Sequence, residues 1–373
     1  MKPLQTSSEL PEPRKQVESM NAYSAPLEGR RDLLRLDFNE NTIGPSPLVI
    51  EALRNIPPSN ISIYPEYNGL KEAIATNLKA QTLLSSEIFP SQIGIFNGVD
   101  AAIHSIFHAY GNIGDTLLTT TPTFGYYKPC AQMQGMKMIA IPYESNDFCF
   151  PYKEIRNALL KYKPKLLVIC NPNNPTGTRI AADKIVGLST ISPKTLVVID
   201  ELYEAFTGDS ILPIVNFNHN PNLLALRSLS KTSGLAGLRI GFAIGNPKII
   251  AHISRVTGPY DINSFAVIAA FAALKDQPYV DNYVKEVLNA KKWMRDQLQL
   301  NGIRHHIEGG NYLLIWPKSE PADIAKRLKA KGILVRSMEG KDLLDKSIRV
   351  SIGTISQMQL FLKTFNEMDN ITI

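Results

Sequence analysis

Ser228-Leu229-Ser230-Lys231-Thr232-Ser233-Gly234-Leu235-Ala236-Gly237-Leu238-Arg239 is the stretch around which the chain is organised. The apolar run Leu223–Leu226 leads into it and reads as a short buried strand. A lysine follows the strand end among small and hydroxylic residues, and an arginine comes eight residues later. Burial penalises an ammonium charge, so a lysine in such a place needs a task. One task is a covalent imine with an aldehyde cofactor, with the serines and the arginine holding a phosphate. Taken alone, the segment is equally a polar turn carrying a surface lysine. The residues on either side decide between the two.

Working outward, Leu196-Val197-Val198-Ile199-Asp200-Glu201 is an apolar strand that ends in a carboxylate. A nucleotide hydrolase would place a magnesium-binding aspartate there. That requires a GxxxxGK[ST] loop, which the chain lacks, and GxGxxG is lacking too. A carboxylate facing a pyridine nitrogen, keeping it protonated and electron-withdrawing, gives Asp200 a purpose, and Tyr203 follows three residues on. Asn171-Pro172-Asn173-Asn174-Pro175-Thr176-Gly177 closes the strand Leu166–Cys170. It reads as a rigid turn offering amide donors, or as an ordinary turn. Asn97-Gly98-Val99-Asp100 follows the strand Ile93–Phe96 and opens an apolar helix to about Tyr110, a natural anion cradle and also a common strand-to-helix turn. Together these supply a lysine for an imine, an aspartate for a pyridinium, an asparagine and a tyrosine for a ring hydroxyl, and serines with an arginine for a phosphate. That inventory describes pyridoxal phosphate.

The pattern around these motifs predicts an α/β fold. Further strands are expected at Thr116–Thr120, Met138–Ile141 and Arg239–Ile244, with helices between several of them. Apolar strands alternating with helices argue a mostly parallel sheet, whose ligands lie at the strands' carboxyl ends. Pro47 is expected to start a helix through Arg54, and Leu70–Leu78 has helical spacing. Beyond Pro247 come helices at Ser264–Lys275 and Tyr279 to about Leu300, then a smaller α+β region. Its strands are expected near Tyr312–Trp316, Ile333–Arg336 and Ile348–Ile352.

At 373 residues the chain has room for two domains, and 44% hydrophobic with 20% charged residues is ordinary globular composition. The net charge of +6 is spread along the chain, so no nucleic-acid footprint is read from it. Cys130, Cys149 and Cys170 show no CxxC spacing and are expected to be buried structural thiols. There is no HExxH, and the adjacent His305 and His306 would point to opposite faces of a strand, so no metal site is expected. No apolar run approaches the roughly 18 residues of a membrane span. The N-terminus lacks a signal core, which makes the cytoplasm the default. Residues 1–22, rich in Pro, Ser, Glu, Gln and Lys, are expected to be flexible.

Three stretches carry a family likeness: Asn39-Glu40-Asn41-x-x-Gly44-Pro45-Ser46-Pro47, the Asn-Pro-Asn-Asn-Pro-Thr-Gly turn, and Ser-x-Ser-Lys followed by Gly-Leu-Ala-Gly-Leu-Arg. Val335-Arg336 and Ile348-Arg349-Val350-Ser351-Ile352-Gly353 add to it. Over roughly Tyr23 to Phe365 the chain resembles the fold-type I pyridoxal-phosphate-dependent aminotransferases (class I/II), and among them the histidinol-phosphate aminotransferase branch. The resemblance implies a large domain with a mostly parallel seven-stranded sheet and a smaller α+β C-terminal domain. It divides the chain into an arm over 23–60, a cofactor-binding domain over 61–260, and an interdomain helix with the small domain over 261–373.

Carried over by motif, the resemblance makes Lys231 the covalent and proton-transferring residue and pairs Asp200 with the pyridine nitrogen. Asn174 and Tyr203 go to the phenolic oxygen. Ser228, Ser230, Arg239 and the amides of Val99 and Asp100 go to the phosphate, and Phe124 to the ring face. Tyr64 would reach the phosphate in a neighbouring subunit, which implies a homodimer with shared sites. Arg349, with Arg336, Asn311 and Tyr23, would meet the substrate. The implied reaction is transamination from histidinol phosphate to 2-oxoglutarate in L-histidine biosynthesis. Transamination of phenylalanine or tyrosine is the alternative, and decarboxylation of the threonine-phosphate kind a third. Three positions depart from the branch pattern. Ala101 stands where Gly-x-Asp-Glu has its glutamate, Phe124 replaces a tyrosine, and Tyr23-Ser24-Ala25-Pro26 is one residue longer than Tyr-x-Pro.

Overall fold

The computed structural model describes residues 11–20, 28–144 and 147–369. Its strands, in chain order, are β1 Leu34–Arg35, β2 Ile93–Phe96, β3 Thr116–Thr121, β4 Lys137–Pro142, β5 Leu166–Cys170, β6 Leu196–Asp200 and β7 Leu223–Ser228. They continue with β8 Gly241–Gly245, β9 His305–His306, β10 Tyr312–Ile315, β11 Ile333–Leu334, β12 Arg336–Ser337 and β13 Ile348–Ser351. Seven strands form the large sheet in the order β2-β8-β7-β6-β5-β3-β4. The strands run parallel except β8, which is antiparallel to both its neighbours.

The period-two alternation of strand side chains explains why β5 and β6 are apolar throughout. Leu167, Ile169, Val197 and Ile199 face one layer of helices, which includes Leu70–Gln81, Tyr152–Tyr162, Ala182–Ile191 and Ser264–Lys275. Leu166, Val168, Leu196 and Val198 face the other layer, with Gly98–Tyr110, Tyr127–Met133 and Pro247–Ser254. Every residue of β5 and β6 is buried. A sheet covered on both faces leaves no solvent side for polar residues. Edge strand β4 has only one neighbour, and it carries exposed Lys137 and Pro142, residues that discourage further pairing.

The C-terminal region builds a second, four-stranded antiparallel sheet, β12-β13-β10-β9. The 24-residue helix Gln277–Leu300 packs on it together with Pro321–Ala330 and Ile355–Met368. That long helix starts two residues earlier than expected, because Pro278 fits the first helical turn. Pairing of β1 with β11 ties the N-terminal arm to this region.

Two strand expectations change. Arg239 is not in a strand: its φ of +59° places it in the left-handed region, closing the short turn Ala236–Leu238 before β8. The expected strand Ile333–Arg336 is split, because β11 pairs with β1 while β12 pairs with β13. Cys130 and Cys170 are buried, but Cys149 is exposed, which corrects the reading of all three as buried thiols. It pairs only with Glu144 in an isolated bridge outside the sheets. No helix among the described residues is long and apolar enough to cross a membrane.

Candidate active site

The parallel register brings Cys170 beside Asp200 and Asp200 beside Leu226, so β5, β6 and β7 end together. The chain leaving β5 carries Asn174, β6 ends at Asp200, and the chain leaving β7 carries Lys231. The Lys231 Nζ donates to the carbonyl of Phe38 at 2.9 Å and lies 5.8 Å from the Tyr203 ring centre. Burial lowers its pKa from 10.5 to about 8. The Arg349 charge pushes the same way, while Glu40 and Asp100 oppose it. The Phe38 carbonyl reaches the lysine because the loop from Asn39 to Pro47 is clamped to the lysine's own loop. Asn41 Nδ2 donates to Thr232 O, and Asn41 Oδ1 accepts the N–H groups of Ile43 and Gly44. Gly234, at φ +72°, permits this: a Cβ there would lie 2.6 Å from the Gly44 carbonyl carbon.

Asp200 is buried, and burial raises its pKa from 3.8 to about 6. Its Oδ2 accepts from the Tyr127 hydroxyl at 2.6 Å, while Oδ1 has only a long contact, 3.3 Å, from Leu202 N. A buried carboxylate with one lightly used oxygen, and no ion pair among the described residues, fits a protonated ring nitrogen as a partner.

Tyr203 follows on the turn after β6. Its hydroxyl receives Asn39 Nδ2 at 3.1 Å and Asn174 Nδ2 at 3.4 Å. Arg349 is buried and is held by Asn174 Oδ1 and Asp37 O, both at 2.5 Å, and its Nε has no partner among the described residues. Arg336 stands directly opposite Arg349 across β12 and β13. Facing like charges destabilise a strand pair, so this pair fits an anion. Buried Asn311 donates to Asn39 O at 3.3 Å, and its Oδ1 is unpartnered among the described residues.

The remaining phosphate-type residues gather at the start of helix Gly98–Tyr110. The first N–H groups of any helix lack intrahelical acceptors and sit at the positive end of its dipole. Gly98, at φ +79°, lies so close to Arg239 that a Cβ would be 2.6 Å from the guanidinium. Arg239 pairs with Asp100 at 2.7 Å. Ser228 Oγ donates to Ser230 Oγ at 2.9 Å and accepts from Ser230 N. Phe124 stands edge-on to Tyr127, ring centres 5.5 Å apart, which brings it to the Asp200 side of the site. Tyr64 is elsewhere: it is 70% exposed and stacks on Tyr260 at 4.0 Å. Tyr23 lies outside the described residues.

Sequence reading did not single out Tyr127 or Asn39 as site residues. Asn39 stood at the head of the quoted Asn-Glu-Asn motif, and Tyr127 lies three residues after Phe124. Their partners, Asp200 and Tyr203, are 73 and 164 residues away, a distance no local pattern reveals.

Among curated proteins, the chain is 31% identical to a histidinol-phosphate aminotransferase of Moorella thermoacetica, over 96% of this chain and 93% of that one. It is 30% identical to one from Caldanaerobacter subterraneus, over 90% and 92%. Among solved structures, the histidinol-phosphate aminotransferase of Sinorhizobium meliloti, in complex with pyridoxal-5'-phosphate, superposes with a TM-score of 0.85 at 25% identity, covering 97% of this chain and 99% of that one. The family model for aminotransferase class I and II matches residues 31–365. With its lysine, aspartate and arginines gathered at the strand ends, the chain belongs to the class I and II aminotransferases.

Proposed function

We propose that the protein transfers the amino group of histidinol phosphate to 2-oxoglutarate, using pyridoxal 5'-phosphate, as a step of L-histidine synthesis. The relatives' shared name over nine tenths of the chain carries the substrate. The convergence of Lys231, Asp200, Asn174 and Tyr203 carries the chemistry. When bound, the cofactor supplies a protonated pyridine ring that withdraws electrons from the substrate's amino carbon.

This chain's residues do the rest. Asp200 would hold the protonated ring nitrogen, with its lightly used Oδ1 free to accept. Tyr203 and Asn174 meet the phenolic oxygen, and Phe124 covers a ring face. The amides of Val99 and Asp100, the hydroxyls of Ser228 and Ser230, and Arg239 bind the phosphate. Lys231 would be the attachment point, and its Nζ, when free, would take the proton from the substrate carbon that bears the amino group and deliver it to the cofactor carbon that receives that group. A base needs its neutral form, and a pKa of about 8 leaves an appreciable fraction neutral near pH 7. Arg349 and Arg336 bind the substrate anion, with Asn311 beside them. We place Tyr64 at the partner subunit's phosphate in a cytoplasmic homodimer. Its exposure alongside Ile61, Ile63 and Tyr260 supports that placement.

The test is single-turnover spectroscopy on protein whose mass in solution has been measured. Mixed without acceptor, histidinol phosphate should bleach the lysine-bound cofactor band far faster than phenylalanine, tyrosine or aspartate, in a species of twice the chain mass. Faster conversion of an aromatic amino acid makes the protein an aromatic aminotransferase. Release of carbon dioxide without an acceptor makes it a decarboxylase, and a monomer with full activity removes Tyr64 from the site.

A further inference from the structure

Asn39 lies next to the Phe38 carbonyl that receives Lys231 and two residues from the Asp37 carbonyl that receives Arg349. Its backbone is left-handed, φ +56°, a conformation asparagine tolerates better than most residues. In that conformation its N–H points at Ser351 Oγ, 2.8 Å away. A backbone N–H only donates, so Ser351 Oγ accepts there, and its own proton goes to Asn39 Oδ1 at 2.9 Å. The amide is therefore oriented: oxygen to Ser351, nitrogen to the Tyr203 hydroxyl. Asn174 is oriented in the same manner from the other side. Arg349 Nη1 can only donate, and it holds Asn174 Oδ1, which turns Asn174 Nδ2 toward Tyr203.

Two amide donors thus converge on one phenol oxygen. Such an oxygen has one proton of its own and room for about two incoming donors. With both acceptor positions engaged, the Tyr203 proton must point away from both amides. Burial pushes the Tyr203 pKa up, so the proton stays on the oxygen. The rings of Tyr203 and Tyr312 meet in a T-shaped pair, centres 5.1 Å apart. We infer that Asn39, locked by Ser351, is a positioning residue that aims the Tyr203 proton at the phenolic oxygen of the bound cofactor. It never touches the reacting atoms. Its donor comes from the N-terminal arm and its lock from β13, so the aim depends on the arm's docking against the C-terminal sheet.

This inference rests on the cofactor reading above, and the experiment separates the two. The visible band of the lysine-bound cofactor changes when the lysine-linked nitrogen loses a proton that it shares with the phenolic oxygen. After that loss the oxygen depends more on Tyr203's O–H, so weakening the donor raises the pH midpoint of the change. Asn39→Asp presents an acceptor that pulls the Tyr203 proton away, and should raise the midpoint by about one pH unit, a tenfold change in the equilibrium. Asn39→Ala and Ser351→Ala should raise it by less. In a Tyr203→Phe background the two alanine variants should not move the midpoint further, and Asn39→Asp should move it by less, because its charge alone then acts.

A shift of equal size with and without the Tyr203 hydroxyl overturns the inference, since charge or packing would then explain it. So does no shift with the hydroxyl present. If the Asn39 variants fail to fold, Ser351→Ala, which leaves Asn39 in place, is judged by the same cycle. An unsubstituted protein that shows no such band at all refutes the cofactor reading itself.

Discussion

Lys231→Ala is expected to bind pyridoxal phosphate without turnover, losing about 10²- to 10⁴-fold in rate from the missing acid–base group alone. The fold should survive. Among the described residues the side chain makes a single hydrogen bond, to Phe38 O, worth about 1 kcal/mol. Against that loss, the substitution removes an amine whose charged form the site disfavours. The sign follows from the lowered pKa. Between about 8 and the unfolded value near 10.5, the unfolded chain binds more protons, so this group's contribution to stability rises with pH across that window and is unfavourable below it. At pH 7 the cofactor-free variant should therefore melt no lower than the unsubstituted protein. In the unsubstituted protein, the rate at which lysine captures added cofactor should climb with pH and level off just above 8. A climb continuing toward 10.5 would show an unshifted amine, and near-normal turnover by the alanine variant would remove Lys231 from the chemistry.

Asp200→Asn should fold, bind cofactor less tightly, and slow removal of the substrate's α-proton by about 10²- to 10³-fold. That is the usual effect of deleting one preorganised electrostatic partner in a water-excluded site. The measurement is the half-reaction with amino donor alone, and an unchanged rate would reject the role. The replacement is isosteric, and an amide oxygen can still accept from the Tyr127 hydroxyl. Stability should move the other way. The Asp200 pKa is raised in the folded state, so its contribution is fully present below about 3.8 and is lost as pH rises through about 6. Near pH 7 the cofactor-free asparagine variant should be the more stable protein. On the proposed reading, the site keeps a group the empty fold disfavours because the loaded one would need it.

What was legible locally was what burial dictates locally. Strands β5 and β6 were read to the residue because helices cover both their faces, which forces continuous apolar runs bounded by polar turns. Helix Pro47–Arg54 was read from Pro47, which fills the first turn, and Ser46 caps Val49 N ahead of it. Arg239 was misread because its neighbours, Leu238 and Ile240, suit a strand, while the close approach of Gly98 and the turn at Ala236–Leu238 set its conformation. The split after Leu334 was invisible because it depends on which strand each half meets. Within the site, the strand-end residues Asp200 and Asn174 and the lysine turn were visible as chemistry without a task. Tyr127 and Asn39 were not, because each works only through a partner brought in by the tertiary fold.

The attachment of the N-terminal arm to the C-terminal sheet sets a schedule for synthesis. Asp37 and Arg349 are bonded across 312 residues, a span that takes about 15–60 s to translate at roughly 5–20 residues per second. In the last part of that interval, after β8 ends at Gly245, the cofactor-facing end of the large sheet exists without its cover: Arg349 and Ser351 are still unmade, and the arm has no β13 to dock on. A ribosome-bound or prematurely terminated chain can carry the reactive lysine but cannot enclose it. Only a chain translated past Ser351 can make this stitch, so the arm docks after β13 is made.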